Sequence, residues 1–364
     1  GGAIVAAGLA VPSAASSAIS AMDQGPPQAA TSEAALYGNY LAGLHARAQN
    51  DNAGAAGYMS RVLASDPLNA AVLREAFLMK LQDGAMADAI PLAKQLLLAE
   101  PGNQIAGLSV IAEAFQAGDY ASAKSLIGKL DQRGLGALLA PLLDAWAQHG
   151  LGNNEQALAA LAPLSQQKAF AVFQSYNSAM IAALDQRDES AEKWFNQTLN
   201  TPGGGSIRVV QAYGQFLESR GKHQQAAKIY GDIVERAGQH PLLSAALERA
   251  QAARGAPLLA ATTTDGVAEA LFGIGSVLAR DAGAGQLPLV YLRLAIYLKP
   301  GFPVAQTLLA NMLENMQRWD EAIAAYAAIP NGSPLYPGAR IQMALNENRA
   351  GRGDAAIASL RQLS

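Results

Sequence analysis

Apolar residues recur at helical spacing through residues 308–334, in two runs separated by a short polar turn. The first run carries Leu308, Leu309, Met312 and Leu313, and the second carries Ile323, Tyr326 and Ile329. This spacing predicts two amphipathic helices, and Pro330 ends the second because proline cannot donate a helical hydrogen bond. Ala310 and Ala322 fall where the two helices would cross, and small side chains there let the axes approach closely.

The same arrangement recurs along the chain with a period of 34 residues. Alanines equivalent to Ala322 stand at Ala55, Ala89, Ala123, Ala157, Ala191, Ala226 and Ala356. Successive members from Ala55 to Ala191 are 34 residues apart, and Ala226 follows one residue late, after a glycine-rich turn. A small residue also recurs 12 positions earlier in six units, whereas Phe77 and Ile111 depart from that rule. We therefore expect the alanines to be buried where the two helices of each unit cross.

A helix–turn–helix unit of about 34 residues with this register resembles the tetratricopeptide repeat (TPR). The resemblance implies an all-α fold, a right-handed superhelical solenoid whose first helices line a concave face. In such an array each repeat contacts its neighbours, so a chain of 364 residues need not divide into ordinary domains.

The repeat pattern predicts four segments. Residues 1–31 form a leader, and residues 32–255 form a first block of about six repeats with one extra helix. Residues 256–266 lack helical periodicity and predict an irregular connection. Residues 267–364 form a second block that ends inside a repeat, so we expect this block to be truncated at its C-terminal end.

The leader is apolar and rich in small residues, and its first charged residue is Asp23. Residues 2–14 resemble the end of a secretory signal peptide, which predicts a periplasmic or outer-membrane-associated protein. The alternative is a disordered leader on a cytoplasmic protein. Pro12 and the neighbouring serines interrupt the apolar run, so we expect no integral membrane span.

Composition narrows the range of functions. The net charge is −3 with 15% charged residues, a balance that does not favour a nucleic-acid partner. The chain has no cysteine, which excludes disulfides and thiolate chemistry. His45, His149, His223 and His240 fall in different repeats, so the sequence predicts no metal site. No phosphate-binding loop or nucleophile elbow occurs, and we expect neither a cofactor nor enzymatic activity.

The TPR resemblance also implies which side chains of the first helices point into the groove. Those of the first three repeats are Tyr37, Tyr40, Leu44, Arg74, Leu78 and Phe115, and those of the next three are Leu142, Trp146, Phe173, Tyr176, Met180, Arg208, Gln211 and Gln215. Exposed aromatic and apolar anchors of this kind are typical of a binding groove. The alternative for any single member is packing against the next repeat. The set is the predicted partner-binding surface.

The segments at residues 265–281, 289–314 and 336–360 narrow the resemblance further. They resemble exported, all-TPR proteins of alphaproteobacteria and, more loosely, the TPR lipoprotein adaptor that delivers substrates to a carboxy-terminal processing protease. This resemblance implies a non-enzymatic scaffold or adaptor of the cell envelope that grips a protein or peptide, such as an envelope protease or its substrate. The alternative is a carrier of an apolar small molecule or lipid in the same groove, which would need a bounded cavity.

Overall fold

The computed structural model describes residues 28–49 and 52–361. Within these ranges the regular structure is helical throughout, with nineteen α-helices, two short 3-10 segments and no strand. The chain divides into two compact units, residues 1–67 and residues 68–364. The fold is an all-α solenoid built from consecutive helix pairs.

In its described residues the first unit contains one helix pair, α1 (Gln28–Ala48) and α2 (Asn52–Ser65). The helices cross at Gly43, where a Cβ atom would lie 2.9 Å from the Met59 methyl group. Arg61 Nε donates to Asn39 Oδ1 at 3.1 Å and links the two helices at the surface. The small residue of the repeat pattern therefore permits this close crossing.

The second unit begins with five pairs and one additional helix. The pairs are α3 (Ala70–Asp83) with α4 (Met86–Ala99), α5 (Gln104–Gln116) with α6 (Tyr120–Ile127), α7 (Gly136–Gly150) with α8 (Asn154–Leu161), α9 (Ala171–Leu184) with α10 (Asp188–Leu199), and α11 (Ile207–Ser219) with α12 (His223–Ala237); α13 (Pro241–Gln251) follows. Asn69 and Asn103 cap α3 and α5 by accepting from backbone N–H groups, and Gly84 ends α3 with a φ of 79°.

The alanine register is confirmed. Ala55, Ala89, Ala123, Ala157, Ala191, Ala226, Ala322 and Ala356 are all buried on the second helices of their pairs. The glycine at Gly214 shows why the opposite position is small: a Cβ atom there would lie 2.1 Å from the Tyr230 ring. Phe77 and Ile111, which break the pattern, are also buried.

Six more helices complete the second unit. They are α14 (Thr263–Leu278), α15 (Leu287–Leu298), α16 (Pro303–Asn315), α17 (Trp319–Ala327), α18 (Tyr336–Arg349) and α19 (Gly353–Arg361). Helix α14 packs on α5, α7 and α9, and α15 packs on α3 and α5. These five contacts all involve first helices of the earlier repeats. The α14–α15 pair therefore lies on the inner face of those repeats.

This packing changes the predicted division of the chain. Residues 256–266 lie inside the second unit, because the helices that follow them fold back onto the repeats that precede them. The connection is irregular up to Thr262, which caps α14 by accepting from the Asp265 N–H, and residues 263–266 are helical. Leu259 and Ala260 are buried, and Lys299 Nζ donates to Leu259 O at 2.7 Å. None of the described helices combines the length and the apolar character that a membrane span requires.

Candidate functional site

The indole of Trp146 marks the point where α14 meets the inner face. Trp146 is fully buried, and its Nε1 donates to Asn177 Oδ1 of the next repeat at 2.9 Å. A Cβ atom on Gly266 would lie 2.2 Å from the indole ring. Glycine is thus required on α14 at this place for the two helices to approach.

Two hydrogen bonds fix the N-terminal end of α14 on the same face. His149 Nδ1 lies 2.8 Å from Thr263 Oγ1, and Thr264 Oγ1 donates to the Phe115 carbonyl at 3.1 Å. The other ring nitrogen of His149 lies 3.2 Å from Asp185. Burial lowers the pKa of His149, and the charge and hydrogen bond of Asp185 oppose that effect.

A buried ion pair joins α14 to the sixth repeat. Arg208 Nε donates to Glu269 Oε2 at 2.9 Å, and a second, shorter bond joins the Arg208 Nη2 to Glu269 Oε1. Lys299 Nζ lies 3.4 Å from the same carboxylate, whose side chain is inaccessible to solvent. Two cations therefore neutralise one buried carboxylate. Burial, with a contribution from Glu269, raises the pKa of the neighbouring Tyr176 phenol well above its usual range.

The α15 end of the pair is fixed to the second repeat in a similar way. Gln82 Nε2 donates to Gln286 Oε1 at 2.6 Å, and Arg293 Nε donates to the Gln82 carbonyl at 2.6 Å. Arg318, the residue before α17, also lies 3.3 Å from Asp83 at the end of α3. Burial and the charge of Glu321 raise the pKa of the Asp83 carboxyl, and the arginines nearby oppose this.

The structure divides the predicted partner-binding residues of the second unit into covered and accessible groups. Phe115, Leu142, Trp146, Met180 and Gln211 are buried; Leu78, Phe173, Tyr176, Arg208 and Gln215 are half-buried; and Arg74 is exposed and paired with Glu100. The chain's own helices cover this face, so these aromatic side chains do not form a continuous open strip. Sequence reasoning placed them on the inner face and missed their intramolecular neighbours.

In the first unit the predicted residues are open. Tyr37 is 58% exposed, and Tyr40 and Leu44 are half-buried. Leu41, which is not among the residues that the TPR resemblance implies, is 63% exposed on the same helix. Because the other three residues follow Tyr37 by three, four and seven positions, all four share one face of α1. We call this face the α1 stripe.

A second feature lies beside α14, where two adjoining cavities share part of their walls. The smaller has a volume of about 220 Å³ and lies between α9, α11 and α14. The larger has a volume of about 540 Å³ and lies between α11, α13, α14 and α16. The shared wall consists of Ser206, Arg208, Phe272, Ser276 and Arg280. The sequence pattern gave no signal for Phe272 or Arg280, because they face the cavities only once α14 is seated.

Among the described residues no three metal-ligating side chains come together. The histidines serve local roles where the structure defines them: His149 contacts Thr263, and His240 Nδ1 accepts from the Leu242 N–H at 3.3 Å at the start of α13. His149 thus helps to hold α7 to α14, and His240 caps α13.

No protein-family model matches the chain, and no curated protein matches its sequence. Among solved structures, a chain of the structure of Naa15/Naa10 bound to HypK-THB aligns over 91% of this chain, with 15% identity and a TM-score of 0.36. The present chain spans 64% of that protein's length. A crystal structure of a TPR protein from Parabacteroides merdae ATCC 43184 aligns over 86% of this chain and 99% of its own, with 13% identity and a TM-score of 0.32. Both similarities are remote and carry no argument about function.

Proposed function

We propose that this protein is a non-enzymatic interaction scaffold or adaptor of the bacterial cell envelope. Its partner would be a protein or peptide segment, such as an envelope protease or a substrate of one. The helix-pair architecture supports the scaffold role because arrays of repeated helix pairs are typical of binding scaffolds. The signal-like leader sequence supports the envelope location.

The observation that carries the proposal is the α1 stripe. Tyr37 and Leu41 expose more than half of their surface, and Tyr40 and Leu44 extend the same face. In the later repeats Trp146 and Phe173 lie against α14, whereas Tyr37 and Leu41 are exposed within the described part of the first unit. Tyrosine and leucine side chains at helical spacing form the kind of anchor face that receives an apolar segment.

Photo-crosslinking tests this assignment directly. We expect a benzoylphenylalanine at Leu41 to give a discrete adduct with one envelope protein. The matched control is the same group at Ala64, an exposed position on α2. With the partner identified, the double variant Tyr37→Ser, Tyr40→Ser should lower its affinity roughly thirtyfold, because losing a central anchor costs ~2 kcal/mol or more.

Circular dichroism must show that the double variant retains its helices. Unchanged affinity in a folded double variant would contradict the proposed surface. Equal crosslinking from Leu41 and Ala64 would contradict it as well. Recovery of the full-length protein in the cytoplasmic fraction of its native cells would contradict the envelope location alone.

A further inference from the structure

The cavity pair beside α14 has a chemical character that the scaffold role does not use. We infer that it binds a small amphipathic acid, with the acid group at Arg280 and the larger cavity, and the apolar body in the smaller cavity. This inference goes beyond the proposed function and involves none of the α1 stripe.

The wall that the two cavities share carries a positive charge. Glu269 lines the smaller cavity, but Arg208 and Lys299 neutralise its carboxylate. Arg280 follows α14, is exposed, and pairs with no carboxylate of the described residues. The wall therefore carries one positive charge that is free to meet an anion.

The polar groups of the larger cavity point to the same ligand. Gln211 uses its Oε1 to accept from Arg208 at 3.2 Å, and Asn311 uses its Oδ1 to accept from the Tyr326 hydroxyl at 2.5 Å. Their amide nitrogens have no acceptor within the described part of the chain. His240 accepts through Nδ1, so its neutral ring carries the proton on Nε2. These three side chains thus leave N–H donors for a ligand, which suits an acid with several acceptor oxygens. The hydroxyls of Ser276 and Thr307 on the same wall donate to carbonyls of their own helices.

The smaller cavity supplies the apolar part of the site. Phe173 and Val172 of α9 line one side, and Phe272 and Val277 of α14 line the other. Phe272 is held in place by Phe302, with ring centroids 5.2 Å apart. Aromatic and branched aliphatic walls of this kind gain free energy by covering a hydrocarbon chain.

Size favours a small molecule over a protein segment. The larger cavity, at about 540 Å³, falls within the roughly 300–1,000 Å³ of small-molecule sites. A peptide in a repeat groove contacts the first helices of several successive units. Here α14 itself occupies that path along α5, α7 and α9.

The test uses the whole chain and three ten-carbon probes in titration calorimetry: decanoate, decanol and decyltrimethylammonium. We expect saturable 1:1 binding of decanoate and much weaker binding of the alcohol and the cation. Arg280→Ala should weaken decanoate binding about tenfold, because a charge-assisted contact is lost. The control is Arg236→Ala, which removes an exposed arginine of α12 away from the cavities.

A second variant, Ser276→Phe, places a large side chain on the wall that both cavities share. It should abolish decanoate binding while the circular dichroism spectrum of the helices is retained.

Three results would overturn the inference. One is equal affinity for decanoate and decyltrimethylammonium, and another is an equal effect of the two arginine variants. The third is the absence of saturable decanoate binding. Binding of an acidic peptide in the cavities in place of decanoate would have the same meaning.

Discussion

Gly266 of α14 lies against the indole of Trp146, so close that a Cβ atom on the glycine would be 2.2 Å from the ring. The indole cannot move away freely, because Trp146 is fully buried and its Nε1 is bonded to Asn177. The side chain that the TPR resemblance marked as an anchor for a partner thus packs against the chain's own helix. At this contact α14 lies directly on the inner face of the earlier repeats.

The first prediction concerns this contact. Gly266→Ala should reduce the free energy of unfolding by about 1–3 kcal/mol, because the added methyl group overpacks a site that has no room. The control is Gly338→Ala on α18, where a Cβ atom would meet nothing within 4 Å. That variant should be neutral or stabilising by up to about 1 kcal/mol. Chemical denaturation of both variants gives the comparison, and equal stabilities would show that α14 is not seated on Trp146.

The second prediction concerns a buried carboxylate in the sixth repeat. Glu218 has no solvent-accessible side-chain surface and accepts from Arg249 at 2.7 and 2.9 Å and from Tyr230 at 2.7 Å. Arg249→Met should cost about 3–5 kcal/mol, because it leaves the buried charge without its cation.

The control for that experiment is Lys228→Met, which breaks an exposed pair with Asp232 and should cost less than about 1 kcal/mol. Urea denaturation at neutral pH measures both changes. A loss at Arg249 no greater than the loss at Lys228 would mean that the Glu218 network does not hold α11 to α13.

The third prediction is a pH dependence at the α7–α14 contact. Burial lowers the pKa of His149 below its ordinary value of about 6.5, so the unfolded chain binds the proton more readily. The contribution of the neutral His149 imidazole to the free energy of unfolding is therefore fully present above pH ~6.5. It is lost as the pH falls through the lowered pKa. Asp185 faces one ring nitrogen of His149 and Thr263 faces the other. Both residues are retained in the variant His149→Gln.

Thermal unfolding at pH 7.5 and at pH 5 checks this sign. The wild-type protein should lose more stability on acidification than His149→Gln, whose side chain does not titrate. His240, whose pKa is also lowered by burial, is present in both proteins and contributes equally. A larger pH effect in the variant than in the wild type would contradict the assignment.

The sequence was sufficient to predict the helix pairs and their internal packing. The alanine at each crossing and the glycine at Gly214 are local constraints, because each must fit a partner within the same 34-residue unit. A short-range steric rule of this kind leaves a periodic signal. The placement of Trp146 and Phe173 on the inner face came from the TPR resemblance.

The fold-back of α14 and α15 could not be predicted in the same way, because these contacts join residues more than a hundred positions apart. His149 and Thr263, for example, are 114 residues apart. In retrospect there was a signal: Gly266 and Gly273 share one face of α14, two turns apart. Gly266 meets Trp146, and a Cβ atom on Gly273 would lie 3.3 Å from Phe173. Two small residues thus face two of the side chains predicted as partner anchors.

The central claim is that α14 is bound to the inner face of the repeats, and the Arg208–Glu269 pair tests it most directly. A double-mutant cycle with Arg208→Met and Glu269→Gln compares the free energies of unfolding of the two single variants and the double variant. Residues in contact show a coupling energy of about 0.5–3 kcal/mol, and we expect more than about 1 kcal/mol here because Glu269 is fully buried. Effects that add to within about 0.5 kcal/mol would contradict the account, since they would mean that the sixth repeat and α14 do not touch.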